Sequence, residues 1–138
     1  MNSMFSGCSS LTSIKMTTFN TINVEDMGNL FYECSSLSSI KLSNFKTVNT
    51  VNIEGMFYNC KSLKTLNLNS FDTSKINSMK SLFHGCAFIE VLDLKHFKTN
   101  NVRHMEDLFN GCSSLIRLDI SNFDISKILS MGYIFLRI

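Results

Sequence analysis

The chain has 138 residues, a formal net charge of +2, 44% hydrophobic residues and 17% charged residues. This composition belongs to folded chains rather than disordered ones, because it supplies enough apolar surface to offset the entropy of ordering. The 13 Lys and Arg residues are scattered rather than clustered, so nucleic acid is not indicated as a partner. No apolar segment is long enough to span a membrane, and we expect no membrane insertion.

One repeat of 26 residues organises the whole chain without an insertion or a deletion. Self-similarity at such a period is typical of a solenoid, in which each repeat forms one coil. We predict one repeat domain over 1–138, with full repeats at 1–26, 27–52, 53–78, 79–104 and 105–130 and a partial sixth repeat at 131–138. Two columns are predicted to form the structural core: Phe5, Phe31, Phe57, Phe83 and Phe109, and Cys8, Cys34, Cys60, Cys86 and Cys112.

Each repeat carries a strand signal and a helix signal. Its L-x-x-L-x-L segment ends in alternating apolar and polar residues, which predicts strands near 13–17, 39–43, 65–69, 91–95 and 117–121. A short helix is expected to start at a column rich in good N-cap residues: Asp26, Asn52, Ser78, His104 and Ser130. Met27, Leu30 and Phe31 then show the i, i+3, i+4 spacing of one helical face. A column of glycine, asparagine and glutamate is expected to end each helix in the left-handed conformation: Gly7, Glu33, Asn59, Gly85 and Gly111.

These signals predict an α/β fold, a leucine-rich-repeat solenoid with a single parallel sheet on one face and short helices on the other. Connecting successive strands through helices makes neighbouring strands parallel. One coil is too small to bury its own apolar residues, so stability comes from contacts between neighbouring coils. Neither end carries a polar capping repeat, which leaves further repeats or self-association through the ends open.

The cysteine column is interpreted as reduced, buried thiols that pack as small apolar residues. A cysteine every 26 residues has no zinc-ligand spacing. A disulfide between successive cysteines is the alternative, because stacked coils place equivalent Cα atoms about 5 Å apart. A parallel ladder of identical rotamers does not readily give the side-chain directions that a disulfide needs.

The sequence offers no catalytic constellation. His84, His96 and His104 fall in three different columns, and the repeat geometry brings no Ser, His and acid within hydrogen-bond reach. Neither GxGxxG nor GxxxxGK occurs. We expect no enzyme activity, no cofactor and no metal site.

The open face of the sheet is the candidate ligand face. One column on this face changes from basic to acidic along the stack: Lys15, Lys41, Asn67, Asp93 and Asp119. Arg117 lies in the neighbouring column and is also a candidate. Solenoids generally bind partners on such faces. A merely solvated face is the alternative, because exposed strand positions are polar in any case. A cation shared by Asp93 and Asp119 is a further alternative, since two closely stacked carboxylates repel each other unless neutralised.

The segment from Met27 to Phe45 reads MGNLFYECSSLSSIKLSNF. It resembles the M-x-x-M-F-x-x-C-x-x-L-x-x-L-x-L-S-x-F repeat of BspA-like leucine-rich repeat surface proteins, and the resemblance covers the whole chain. It implies a solenoid at the surface of bacteria or parasitic protists, exposed or secreted, with roles in adhesion to host or matrix proteins. It implies no catalytic residue. The chain departs from the family in having no export signal or anchor, and Ile138 replaces the cysteine of the sixth repeat.

The sequence therefore favours a non-catalytic protein-interaction scaffold, a cell-surface adhesion or host- or matrix-binding module that takes a protein ligand. We expect the chain to be a fragment of a longer array. An intracellular leucine-rich-repeat adaptor is the alternative, favoured by the missing signal peptide and the free cysteines. A truncated gene fragment without independent function is another.

Overall fold

The strands of the protein are short and parallel. A computed structural model describes all residues, 1–138. It contains β1 (Ser13–Lys15), β2 (Ser39–Lys41), β3 (Val91–Asp93) and β4 (Arg117–Asp119). β1 pairs with β2 and β3 pairs with β4, both in parallel and both in the register of the repeat, with Ile14 opposite Ile40 and Leu92 opposite Leu118. The coils therefore stack one repeat per layer.

Each strand ends after three residues, earlier than the five-residue segments predicted from the sequence. The chain turns at once: the Phe19 N–H donates to the Met16 carbonyl at 3.2 Å, and the Phe45 N–H donates to the Leu42 carbonyl at 2.9 Å. A residue whose carbonyl accepts the N–H of the residue three positions later is the first residue of a turn, so the extended conformation ends before it.

The prediction of one continuous sheet is wrong, because segment 65–69 of the third coil is not a strand. Only Thr65 bridges to Val91 of the next coil. No backbone N–H of residues 65–68 donates a backbone hydrogen bond. The sheet is therefore two separate pairs of strands, β1–β2 and β3–β4.

The predicted helices are also absent, and tight turns replace them. The segment after Asp26 bonds i to i−3, with Leu30 N–H on the Met27 carbonyl at 3.3 Å. Asn29 and Glu33 have φ of 54° and 58°, which breaks any right-handed helix. The same turns follow Asn52, Ser78, His104 and Ser130, with φ of 57° at Gly55, 54° at Ser81, 57° at Asp107 and 58° at Tyr133.

Hydrogen bonds between coils explain why a helix does not form. Alternate N–H groups of this segment donate to the next coil instead of four residues back: Phe31 to the Met56 carbonyl at 2.9 Å, and Phe57 to the Leu82 carbonyl at 3.1 Å. The predicted caps keep a local role, since Asp26 Oδ1 accepts the Gly28 N–H at 2.8 Å. We call the segments 27–34, 53–60, 79–86 and 105–112 the turn wall.

All inter-coil bonds of the turn wall point the same way. In each backbone bond between coils the N–H points to the coil that follows and the carbonyl points to the coil before it, as in Asn29 to Glu54 at 2.8 Å and Gly55 to Lys80 at 3.0 Å. The peptide dipoles of the wall therefore add along the stack, as they do along a helix. The partial negative charge lies toward the first coil.

The core is a ladder of parallel phenylalanine rings. Phe57 is fully buried between Phe31 and Phe83, with ring centroids 5.8 Å and 6.0 Å away. Phe109 is buried as well, whereas Phe5 in the first coil is half-buried. Each ring is covered by the coils on both sides of it, so the ladder couples neighbouring coils.

The cysteine ladder lies beside the rings and contains no disulfide. The thiols of Cys34, Cys60, Cys86 and Cys112 donate to phenylalanine carbonyls of the preceding coil at 3.1 to 3.2 Å. Burial raises the pKa of Cys60 and of Cys112 to about 12. Cys8 differs from the prediction of a buried thiol: it is exposed, and its thiol lacks the phenylalanine carbonyl that the other four thiols contact.

A column of buried threonines joins neighbouring coils after the strands, and sequence reasoning did not identify it. Thr21 Oγ1 donates to the Lys46 carbonyl at 3.1 Å and accepts the Lys46 N–H at 2.8 Å. The arrangement recurs at Thr47, Thr73 and Thr99. The 26-residue spacing was the available signal.

We expect Phe57→Ala to lower the free energy of unfolding by about 3–5 kcal/mol, because it empties a fully buried aromatic site in the central ladder. The control is Phe88→Ala, whose side chain is 55% exposed and should cost less than about 0.5 kcal/mol. Thermal or denaturant melts measure both. A loss below about 1 kcal/mol at Phe57 would contradict the ladder.

Thiol labelling should separate Cys8 from the other four cysteines. Cys8 is exposed and should react in the native state, whereas Cys34, Cys60, Cys86 and Cys112 should react only after denaturation. Mass spectrometry of the labelled peptides gives the pattern. Native labelling of Cys60 would overturn it.

The buried thiols also predict a loss of stability in alkali. The pKa of Cys60 is 9.0 unfolded and about 12 folded, so the contribution of this thiol is complete below pH 9 and is lost as pH rises toward 12. Melts at about pH 8 and about pH 10.5 measure the slope. Cys60→Ala removes one such group, and its melting temperature should fall less over this range than that of the parent. Equal slopes would contradict the assignment.

Candidate ligand-binding face

The strand pairing brings the predicted ligand column onto one surface. Lys15 lies opposite Lys41, and Asp93 lies opposite Asp119. Asn67 lies between the two pairs in the third coil and is exposed. Lys15, Lys41 and Asp93 are exposed, while Asp119 is half-buried. We call this surface, formed by the outward side chains of 13–17, 39–43, 65–69, 91–95 and 117–121, the strand face.

The basic half of the strand face carries unpaired charge. Neither Lys15 nor Lys41 has a carboxylate within 4.0 Å. Lys95, further along the stack, is paired with Asp93 at 3.1 Å. Arg117 is exposed beside the column, opposite Val91. The two free lysines therefore give the first half of the face a positive field.

The acidic half is held by local hydrogen bonds. Asp93 Oδ1 accepts the Lys95 N–H at 3.2 Å, and Asp119 Oδ1 accepts the Ser121 hydroxyl at 2.7 Å. The hydrogen bonds from Lys95 lower the pKa of Asp93, and those from Ser121 lower the pKa of Asp119. A cation shared by Asp93 and Asp119 stays a prediction, and the Lys95 ammonium, 3.1 Å from Asp93 Oδ2, already offsets part of the repulsion between the two carboxylates.

The interruption of the sheet opens a cleft on the strand face. The cleft has a volume of about 420 Å³ and lies between β2 and the third coil. Its lining residues are Ile40, Lys41, Leu42, Ser43, Asn67, Asn69 and Ser70. Two members of the predicted column, Lys41 and Asn67, therefore belong to one concave site, whereas Lys15, Asp93 and Asp119 lie outside it. Sequence reasoning placed Asn69 on this face but did not predict the cleft or Ser70, because the loss of strand pairing in the third coil was not apparent.

The histidines do not form a catalytic site. His96 contacts the Leu68 carbonyl at 2.9 Å, and His104 contacts Glu106 at 3.4 Å. Burial raises the pKa of Glu106, but the nearby Ser130 hydroxyl and the His104 ring hold this pKa below its usual value. The carboxylate thus lies between serine and histidine. A histidine that acts as a general base would have to contact the serine hydroxyl directly.

An aromatic column on the turn wall is a second surface that sequence reasoning missed. Tyr32, Tyr58 and His84 stack with ring centroids 4.5 Å apart at each step and interplanar angles of 8° and 6°. Desolvation lowers the pKa of His84, so the neutral ring is favoured in the stack. The 26-residue spacing of the two tyrosines was visible in the sequence, but histidine at the third position obscured it.

The structure contains no helix with the length and apolar character that crossing a membrane requires.

Comparison with solved structures supports the leucine-rich-repeat fold. The crystal structure of the T. pallidum leucine-rich repeat protein matches with a TM-score of 0.52 at 22% sequence identity. The match covers 88% of this chain and 61% of that protein, so the chain spans about three fifths of its length. At this identity the likeness concerns the fold alone, and the predicted repeat architecture is confirmed at that level.

Comparison with curated proteins gives no match. A family model described as a Mycoplasma protein of unknown function, DUF285, matches residues 1–91 and again residues 62–138. The two matches overlap and together span the chain, as expected for a repeat that fits the model in more than one register. The chain belongs to the DUF285 family.

Proposed function

We propose that this chain is the binding portion of a cell-surface adhesion module that attaches to a host or matrix protein through the strand face. The carrying observation is the pair of unpaired lysines, Lys15 and Lys41, on an exposed face next to the largest cleft. Exposed cations without an internal partner steer an acidic protein toward the surface. The resemblance to BspA-like surface proteins supports the location outside the cell.

An intracellular adaptor is the second candidate, because the cysteines are free thiols. Reduced thiols are typical of a reducing compartment. Their burial, however, shields four of them from oxidation in any compartment. Biotinylation of intact cells that make the protein separates the candidates: labelling places it outside, and labelling only after lysis supports the adaptor.

Charge reversal tests the strand face. We expect Lys15→Glu combined with Lys41→Glu to weaken association with a panel of immobilised matrix proteins by about tenfold or more at low salt. The melting temperature should stay nearly unchanged, since both side chains are exposed. The remaining binding should depend less on salt than that of the parent. Surface plasmon resonance at several salt concentrations measures these effects.

The matched control is Lys61→Glu with Lys80→Glu, which makes the same change of net charge at exposed residues outside the strand face. These substitutions should alter binding by less than about twofold. If the control pair abolishes binding and the strand-face pair does not, the functional face lies on the other side of the solenoid.

A further inference from the structure

We propose that the cleft between β2 and the third coil recognises a carboxylate group of a protein ligand. The site deepens the proposed function, and the protein origin of the carboxylate rests on that function. The chemistry itself is argued from the cleft alone.

The backbone ladder is broken where the cleft lies. In the first coil the Met16 N–H donates to the Lys41 carbonyl at 3.3 Å, and in the fourth coil the Leu94 N–H donates to the Asp119 carbonyl at 3.2 Å. The equivalent N–H of Leu42 has no backbone acceptor. An unpaired backbone donor next to a cleft requires a partner from solvent or from a ligand.

The side chains around this donor add further donors. Lys41 has no carboxylate within 4.0 Å. Asn67 Oδ1 accepts the Asn69 N–H at 3.0 Å, which leaves the Asn67 Nδ2 group to donate elsewhere. Ser70 Oγ donates to the Leu42 carbonyl at 2.9 Å, so this acceptor at the cleft is already occupied. The remaining free groups are mainly donors.

The lining contains one cation, amides, hydroxyls and the apolar residues Ile40 and Leu42, and it contains no carboxylate. A ligand cation would meet Lys41 and find no anionic partner. A purely apolar group would offer the amide donors of the cleft no hydrogen-bond acceptor. A carboxylate accepts from Lys41, from the Leu42 N–H and from an asparagine amide at once, and charge-assisted bonds of this type are roughly twice as strong as neutral ones. The volume of about 420 Å³ holds one amino-acid side chain with its backbone.

The acidic half of the face does not compete for the site. Asp93 is paired with Lys95, and Asp119 is hydrogen-bonded to Ser121. Lys15, the other free cation, lies on the intact β1–β2 ladder and outside the cleft. Lys15 is therefore a matched control for Lys41, with the same residue type, the same column and a complete backbone ladder.

Three blocked tripeptides serve as probes with the complete 138-residue chain. Acetyl-Gly-Glu-Gly-amide carries a side-chain carboxylate, acetyl-Gly-Gln-Gly-amide is its neutral isostere, and acetyl-Gly-Gly-Gly carries only a terminal carboxylate. Titration followed by ¹⁵N NMR should shift the Leu42 amide and the side-chain amides of Asn67 and Asn69. The glutamine peptide should bind about fivefold or more weakly than the glutamate peptide. Tighter binding of acetyl-Gly-Gly-Gly than of the glutamate peptide would show that the carboxylate comes from the C-terminus of the ligand, and carboxylate recognition by the cleft would still hold.

Two substitutions in the cleft and one control outside it test the assignment. Lys41→Gln should remove the difference between the glutamate and glutamine peptides, whereas Lys15→Gln should leave it within about twofold. Asn69→Asp keeps the side-chain shape but adds a carboxylate to the cleft, and it should weaken the glutamate peptide by about fivefold or more. In the ¹⁵N NMR spectrum of each variant, the signals of residues away from the substitution should match those of the parent, which shows that the variant is folded.

Equal binding of the glutamate and glutamine peptides, shifts located away from the cleft, or an unchanged preference in Lys41→Gln would each overturn the proposal. These outcomes do not depend on any matrix protein. Peptide binding together with matrix binding that survives reversal of Lys15 and Lys41 would instead reject the proposed function and leave the cleft chemistry standing.

Discussion

The structure depends on hydrogen bonds that join each coil to the next along the turn wall. Alternate N–H groups leave their own coil and donate to the following one, as Phe31 does to Met56 and Phe57 does to Leu82. The phenylalanine rings beneath them stack at the same step, with Phe31 and Phe57 centroids 5.8 Å apart. Both interactions require the same number of residues in every coil, because one extra residue would move every donor and every ring out of register. The period of 26 residues is therefore a physical constraint as well as a sequence pattern.

This arrangement assigns different tasks to the two faces of the solenoid. On the turn wall nearly all backbone N–H groups donate a hydrogen bond, and side chains fill the core or stack outside it, as Tyr32 does on Tyr58. On the strand face the pairing is short and fails once, in the third coil. A failure there costs little, because the Phe and Cys ladders still hold the third coil against its neighbours: Phe57 stacks on both sides and the Cys60 thiol reaches the Phe31 carbonyl. The fold can thus leave backbone donors free at the strand face without losing its core.

Membership of the DUF285 family and the likeness to a leucine-rich repeat protein agree with a fold of stacked repeats. A scaffold whose apolar residues are consumed by stacking has only its outward columns available for function. The column that runs from Lys15 to Asp119 varies in charge from coil to coil, while the inner columns hardly vary. The coils of a strict repeat differ from one another mainly in their outward residues, and the cleft at Lys41 and Asn67 is formed by such residues.

The sequence by itself determined the coils, the inner columns and the strand face. A fixed period places equivalent residues in stacked layers whatever conformation links them, so Phe57 could be placed between Phe31 and Phe83 without a structure. Only the tertiary structure decided between helix and turn after Asp26. The cap residue Asp26 and the apolar spacing of Met27 and Leu30 are compatible with either conformation. The turn forms because alternate N–H groups donate to the neighbouring coil. The exposure of Cys8 and the free N–H of Leu42 likewise depend on what the adjacent coil supplies, because burial and hydrogen bonding between coils are properties of the stack rather than of one repeat.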